Sequence, residues 1–154
     1  MLRIGIICVG RLKEKFYIDA EREYCKRLSG YCKLEVIELP EAVRLPPELA
    51  LSKECAAIEG KLPAGARIIA LCVEGKQVDS FELSQLLLDC AGSGEPRLCF
   101  VIGGSNGLHE RIKNRADVKL SMSKMTFAHN LARVMLLEQV YRGFKIIEGG
   151  KYHK

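Results

Sequence analysis

Residues 97–107 read Arg97-Leu98-Cys99-Phe100-Val101-Ile102-Gly103-Gly104-Ser105-Asn106-Gly107. Leu98 to Ile102 is an unbroken apolar run with no polar alternation. Such a run reads as a strand buried on both faces, which is the habit of parallel sheets. The glycines that follow permit positive φ and let a ligand approach the backbone closely. Upstream, Arg67–Val73 (RIIALCV) repeats the pattern, and Asp79 then opens a helix with Glu82 three residues later as a capping box. Leu83, Leu86, Leu87 and Cys90 form the apolar stripe of that helix. Further back, Leu2–Val9 is a strand and Lys13–Leu28 a helix with Phe16, Ala20, Tyr24 and Leu28 on one face. Lys33–Leu39 (KLEVIEL) alternates like a strand near an edge, and Pro46-Pro47 opens a helix ending near Gly60. Downstream come a short helix from Leu108, a strand at Val118–Met122, and a last helix from near His129 to about Phe144. Five strands alternating with helices predict a single α/β domain with a largely parallel sheet.

Ligands of such sheets bind at the carboxyl ends of strands. The loops to inspect are therefore Glu74-Gly75-Lys76, Gly103–Gly107 and Ser123–His129. The glycine loop lacks the G-x-G-x-x-G dinucleotide fingerprint after a first strand, and no G-K-[ST] follows it. This argues against a nucleotide-dependent oxidoreductase and against a phosphate cradle. Leu120–Phe127 mixes hydroxyls, thioethers and an aromatic, a lining that suits an uncharged purine-like ring.

The chain has 154 residues, with 24 Lys+Arg against 19 Asp+Glu and a formal charge of +5. Residues 1–110 hold 14 basic and 16 acidic side chains, whereas residues 111–154 hold 10 and 3, so the surplus lies in the last stretch. A basic sector is read, from charge alone, either as the site of a polyanionic partner or as a solvated basic face. The tail from Tyr141 to Lys154 interleaves Arg142, Lys145, Lys151 and Lys154 with Phe144 and Tyr152, suited to phosphates and a splayed base. Glu138 stands four before Arg142, a helix-pair spacing. The seven cysteines are odd in number and lack C-x-x-C spacing. Cys8, Cys72 and Cys99 read as buried thiols of a cytoplasmic protein. His109, His129 and His153 are too dispersed for a metal site, and no apolar run is long enough to span a membrane. The last helix is apolar at Leu131, Val134, Met135, Leu136, Leu137, Val140, Tyr141 and Phe144. It must be covered on two sides, and the second cover is either another copy of the chain, the favoured reading, or the protein's own core around a central helix.

Four stretches, in order and at matching length, resemble the bacterial large-subunit ribosomal RNA pseudouridine N3-methyltransferases of the SPOUT class. They are Val9–Lys13, Leu71–Lys76, Phe100–Leu108, and Leu120–Phe127 continuing through His129, Glu138–Arg142 and Tyr152-His153-Lys154. The resemblance implies a homodimer with a C-terminal trefoil knot, the knotted, cofactor-binding part covering about residues 67–154 of a single 1–154 domain. It implies S-adenosyl-L-methionine as cofactor, held by Leu71, Gly103, Met122, Ser123, Lys124, Met125, Thr126 and Phe127. The implied substrate is N3 of a pseudouridine in a hairpin loop of large-subunit RNA, in assembled ribosomes. His129, Arg133, Arg142, Tyr152 and His153 are the expected substrate-positioning groups, with no base assigned and no metal or membrane involved. Ala128 and Lys151 replace prolines common in the family. The alternative is a non-catalytic RNA-binding module of the same fold.

Overall fold

A computed structural model describes residues 1–150 and Tyr152. The apolar runs become strands β1 (Arg3–Val9), β2 (Lys33–Leu39), β3 (Arg67–Gln77), β4 (Arg97–Ile102) and β5 (Val118–Ser121). Between and after them lie helices α1 (Lys15–Leu28), α2 (Pro47–Glu59), α3 (Ser80–Ala91), α4 (Glu110–Arg115) and α5 (His129–Ile147). All strand pairs are parallel, in the order β2-β1-β4-β3-β5, so β2 lies at an edge as its alternation predicts. β4, the run with no polar residue after Arg97, sits centrally, and Phe100 is fully buried.

Helices cover both faces. On one face Leu28 of α1, Leu83 and Leu87 of α3, and Leu136, Leu137 and Val140 of α5 pack on Ile4, Ile6, Phe100 and Ile69. On the other, Cys55 and Ile58 of α2 and Ile112 of α4 pack on Ile7, Val9, Val101 and Ala70. α3 starts where the sequence says. The Asp79 carboxylate accepts from the Glu82 N–H, and the Glu82 carboxylate from the Asp79 N–H, both at 2.8 Å.

Several local expectations are corrected. Phe16 leaves the buried face of α1 and is 65% exposed, in the first turn of a helix that begins only at Lys15 and has Leu28, at its far end, as its one buried residue. Leu86 and Cys72 are half-buried rather than buried. α5 runs past Phe144 to Ile147. It packs against both α1 and α3, so its two-sided burial is met largely within the protomer. Leu131 and Ile147 stay exposed, and Val134 and Met135 half-exposed.

The largest departure is in β3. The strand does not stop at Val73; it runs to Gln77 with a register break. Leu71 and Lys76 both pair with Leu120, and the four residues between them bulge out of the ladder. Gly75 makes this possible, since a Cβ there would lie 2.7 Å from the Lys119 carbonyl carbon. Bulges of this kind re-aim side chains beside functional sites.

Candidate functional site

The β3 bulge, the Gly103–Gly107 loop and the segment after β5 converge on one cavity of about 510 Å³ at the carboxyl edge of the sheet. Apolar walls come from Leu71, Ile102, Leu108, Leu120, Met122, Met125 and Phe127, and polar groups from Glu74, Ser105, Ser123 and Thr126. The size and the apolar lining with a few polar groups fit a small-molecule site.

Each wall is fixed locally. The glycine loop closes on itself: the Gly107 N–H donates to the Gly104 carbonyl at 3.0 Å, with Gly107 at φ +73°. A Cβ on Gly103 would fall 2.4 Å from the Gly107 carbonyl oxygen, so no side chain is tolerated there. After β5, buried Ser121 donates its hydroxyl to the Ser123 carbonyl at 2.9 Å, and the Met125 N–H donates to the Ser123 hydroxyl at 3.0 Å. Glu74 on the bulge pairs with Lys113 of α4 at 2.5 Å. That bond holds the Glu74 carboxyl below its ordinary pKa and lifts that of the lysine.

Seven of the eight positions expected around a cofactor line this cavity: Leu71, Gly103, Met122, Ser123, Met125, Thr126 and Phe127. Lys124 is exposed and lies outside the lining. His129, the first residue of α5, also lines it. Ala128 before it adopts φ −55°, the value a proline ring would impose, so the lost proline costs no geometry.

Glu41, which no motif announces, reaches this edge from the β2–α2 connection. Its Oε1 accepts from the Ser105 hydroxyl at 2.5 Å and from the Ser105 N–H at 2.9 Å. Those two bonds depress its pKa. Glu41 lies in an irregular stretch, and only the fold brings it to Ser105.

Arg133, expected to position substrate, is not at the cavity surface. It is 1% exposed and donates to Glu38 at 2.7 Å, to Glu21 at 3.1 Å and to the Gly10 carbonyl at 3.0 Å. Its apolar neighbours on α5 place it inward, and buried guanidinium needs such partners. Its role is to tie α5 to α1, β2 and the β1–α1 loop. Burial opposes the Glu38 carboxylate, yet the bonds from Arg133 and from the Leu12 N–H leave its pKa below the usual value. Burial also pushes the Cys8 thiol beside Arg133 up to about 12, and that of Cys99 to about 12, which leaves both unionised.

Arg142 and Tyr152 come together, but at the other end of α5. The Arg142 guanidinium sits 4.7 Å from the Tyr152 ring centroid, and both donate to Glu138 Oε1, at 3.0 and 3.2 Å. Tyr152 packs edge-on to Tyr141 at 4.9 Å. Burial first, then contacts with Tyr24 and Glu138, raise its phenol to about 12. Thirteen residues of helix separate His129 from Arg142, which is about 20 Å at 1.5 Å per residue. His153 lies outside the described residues. Among the described residues no group of three or more His, Cys, Asp and Glu forms a metal site, and no helix is long and apolar enough to cross a membrane.

Comparison with known proteins gives a consistent picture. A sequence-family model described as "Predicted SPOUT methyltransferase" matches residues 2–153. The ribosomal RNA large subunit methyltransferase H of Clostridium botulinum (strain Kyoto / Type A2) is 48% identical over 159 residues, covering 99% of this chain and all of that one. The protein of the same name from Clostridioides difficile (strain 630) is 44% identical over the same coverage. A solved structure of a probable methylase family protein from Haemophilus influenzae Rd KW20 superposes with a TM-score of 0.58 at 15% identity. It covers all of this chain and 72% of that one, a likeness of fold.

Proposed function

The chain belongs to the SPOUT methyltransferase family, and from that premise we propose that it is a ribosomal RNA methyltransferase using S-adenosyl-L-methionine. The proposed target is N3 of a pseudouridine in a hairpin loop of the large-subunit RNA, within assembled ribosomes. The observation that carries the reading is the convergence of Leu71, Gly103 and the Met122–Phe127 segment on one mostly apolar cavity.

The cavity fits the cofactor. Leu71, Met122 and Phe127 offer apolar faces to a purine ring, and Ser123 and Thr126 offer hydroxyls to its edges or to the ribose. The tight Gly103–Gly107 turn brings bare backbone to the cavity wall at Gly103, Gly104 and Gly107, with Ser105 as its polar side chain there. When bound, the cofactor supplies a methyl group activated by its sulfonium. This chain has to place the base in line with that methyl and favour loss of the N3 proton. Positioning of this kind supplies much of the rate in bimolecular transfer, and a nearby cation favours the N3 anion.

Within one protomer, Arg142 and Tyr152 lie about 20 Å along α5 from His129. They serve the cavity if a two-fold dimer sets the tail of one chain, with Arg142, Tyr152 and His153, beside the cavity of the other. The exposed Leu131 and Ile147 on α5 suit such an interface. The trefoil knot over residues 67–154 belongs to the same proposal.

Calorimetry with S-adenosylmethionine, followed by mass spectrometry of ribosomal RNA from a strain lacking the protein before and after adding it back, tests the reading. One bound cofactor per chain and one new methyl group on the large-subunit RNA are expected. A folded protein that binds ribosomes but no cofactor is instead the non-catalytic module.

A further inference from the structure

The cofactor cavity and the tail leave one motif unused: Val9-Gly10-Arg11-Leu12-Lys13, between β1 and α1. The structure holds this loop at both ends of its turn. The Gly10 N–H donates to the Leu39 carbonyl at 2.8 Å, and the Gly10 carbonyl accepts from buried Arg133. Two residues on, the Leu12 N–H donates to Glu38, the carboxylate that Arg133 also holds, and the Leu12 side chain is buried. With Leu12 turned in, Arg11 and Lys13 on either side are exposed. Neither forms an ion pair among the described residues, whereas Lys15 is taken by Asp19. Nearby carboxylates are largely occupied: Glu38 by Arg133 and Leu12, and Glu41 by Ser105, leaving Glu14 as the exposed acid of the loop.

Next along the chain, Phe16 is 65% exposed and its ring centre lies 4.4 Å from that of Tyr17. The loop adjoins the cavity. A Cβ at Gly10, which sits at φ +107°, would lie 3.1 Å from Nε2 of His129. A pair of exposed cations that feel Glu38 and Glu41 electrostatically but are held in no salt bridge among the described residues, followed by an exposed aromatic and touching the site on the same protomer, has the composition of a single-stranded nucleic-acid platform.

We propose that Arg11, Lys13 and the Phe16–Tyr17 pair dock the single-stranded RNA segment flanking the target base, the cations on its phosphates and Phe16 under a flanking base. This rests on the ribosomal RNA reading and adds a substrate contact in cis to the one assigned to the partner's tail. It also explains why Arg133 is buried: the arginine holds the platform in place from beneath.

The test uses ribosomes from a strain lacking the protein, and a labelled oligouridine free of protein. For Arg11→Ala with Lys13→Ala, KM for ribosomes should rise roughly 10- to 100-fold with cofactor affinity unchanged. The slope of log affinity for oligouridine against log salt should become shallower by about 1.4, the value for two phosphate contacts on a single strand. Arg11→Lys with Lys13→Arg should restore both. Phe16→Ala and Phe16→Leu should weaken RNA binding by roughly 5- to 100-fold, while Phe16→Tyr keeps it, as stacking requires a ring. The proposal is overturned if KM and the salt slope stay at wild-type values, or if Phe16→Leu binds as well as wild type. It is equally overturned if ribosome affinity drops while oligouridine affinity does not, which means a ribosomal protein contact, or if Phe16→Ala yields monomers by sizing. A wild-type protein that neither binds nor methylates ribosomes removes the ribosomal RNA reading itself, and the platform with it.

Discussion

The two ends of α5 carry the two halves of the candidate chemistry, and different physics builds each. At the His129 end the surface is shaped by backbone: a bulge that needs Gly75, a turn that needs Gly103, and a loop pinned by buried Arg133. At the Arg142 end it is a mosaic of side chains, with Tyr152 on Tyr141 and Arg142 shared between Glu138 and an aromatic face. The first end is a fixed mould for a small ligand. The second is a set of part-exposed contacts, and on the proposed reading Arg142 would exchange the Glu138 carboxylate for a phosphate.

Substitutions at the two ends should therefore separate stability from activity. Arg133→Ala empties a fully buried position, takes the donor from the Gly10 carbonyl, and leaves the part-exposed Glu38 and Glu21 carboxylates, whose charges solvent screens, without their cation; most of its cost is the lost packing and hydrogen bonding. It should cost about 2–4 kcal/mol of folding stability, measured by urea unfolding. Tyr152→Ala should cost little stability and leave cofactor binding intact, yet reduce ribosome methylation at least about 100-fold if the tail positions substrate. Stability loss at Tyr152 matching that at Arg133 would erase the contrast.

Mixing sharpens the contrast further. A His129→Ala chain and an Arg142→Ala chain, each inactive alone, should regain about a quarter of wild-type activity when co-refolded. Half the dimers are then mixed, and in each mixed dimer one of two sites combines an intact cavity with an intact partner tail. No recovery would place both ends in one chain's site. Gly103→Ala pushes a methyl into the Gly107 carbonyl, and should weaken S-adenosylmethionine binding by roughly tenfold or more in calorimetry while leaving dimer sizing unchanged.

The sheet was largely legible because burial writes itself into sequence. Leu98–Ile102 is apolar without alternation since both faces of β4 are covered, and Lys33–Leu39 alternates since β2 is an edge. Asp79 and Glu82 announce a helix start through bonds only three residues apart. The cavity loops were legible as glycine and hydroxyl clusters after strands. What stayed hidden depends on distant partners. Glu41 meets Ser105 across 64 positions, and Arg133 meets Glu21 across 112. A charged residue on an apolar helix looks the same in sequence whether it faces RNA or a carboxylate of its own chain. The bulge after Leu71 was missed because only the backbone of β5 demands Gly75. Regional charge hides local detail in the same way: residues 1–110 are net negative, yet Arg11 and Lys13 are exposed and make no salt bridge among the described residues, because the carboxylates within their electrostatic reach, Glu38 and Glu41, are hydrogen-bonded to Arg133 and Ser105.

The smallest expected effect concerns that last carboxylate, which joins the mould to the rest of the chain. The Ser105 hydroxyl, then its N–H, holds the folded-state pKa of Glu41 below the unfolded one. A group depressed in this way adds stability that is complete above its unfolded pKa and fades as pH falls through its folded pKa. Wild type should thus exceed Glu41→Gln in urea-measured stability by a constant margin from neutrality down to the ordinary carboxylate range, and the margin should close in more acidic buffer. Glu38, also depressed by its bonds to Arg133 and Leu12, titrates in both proteins and cancels from the difference. A margin independent of pH would mean that Ser105 is served as well by a neutral acceptor. The glycine loop would then owe its shape to Gly103 and Gly107 alone, and the His129 end would be a mould of backbone with no electrostatic clasp.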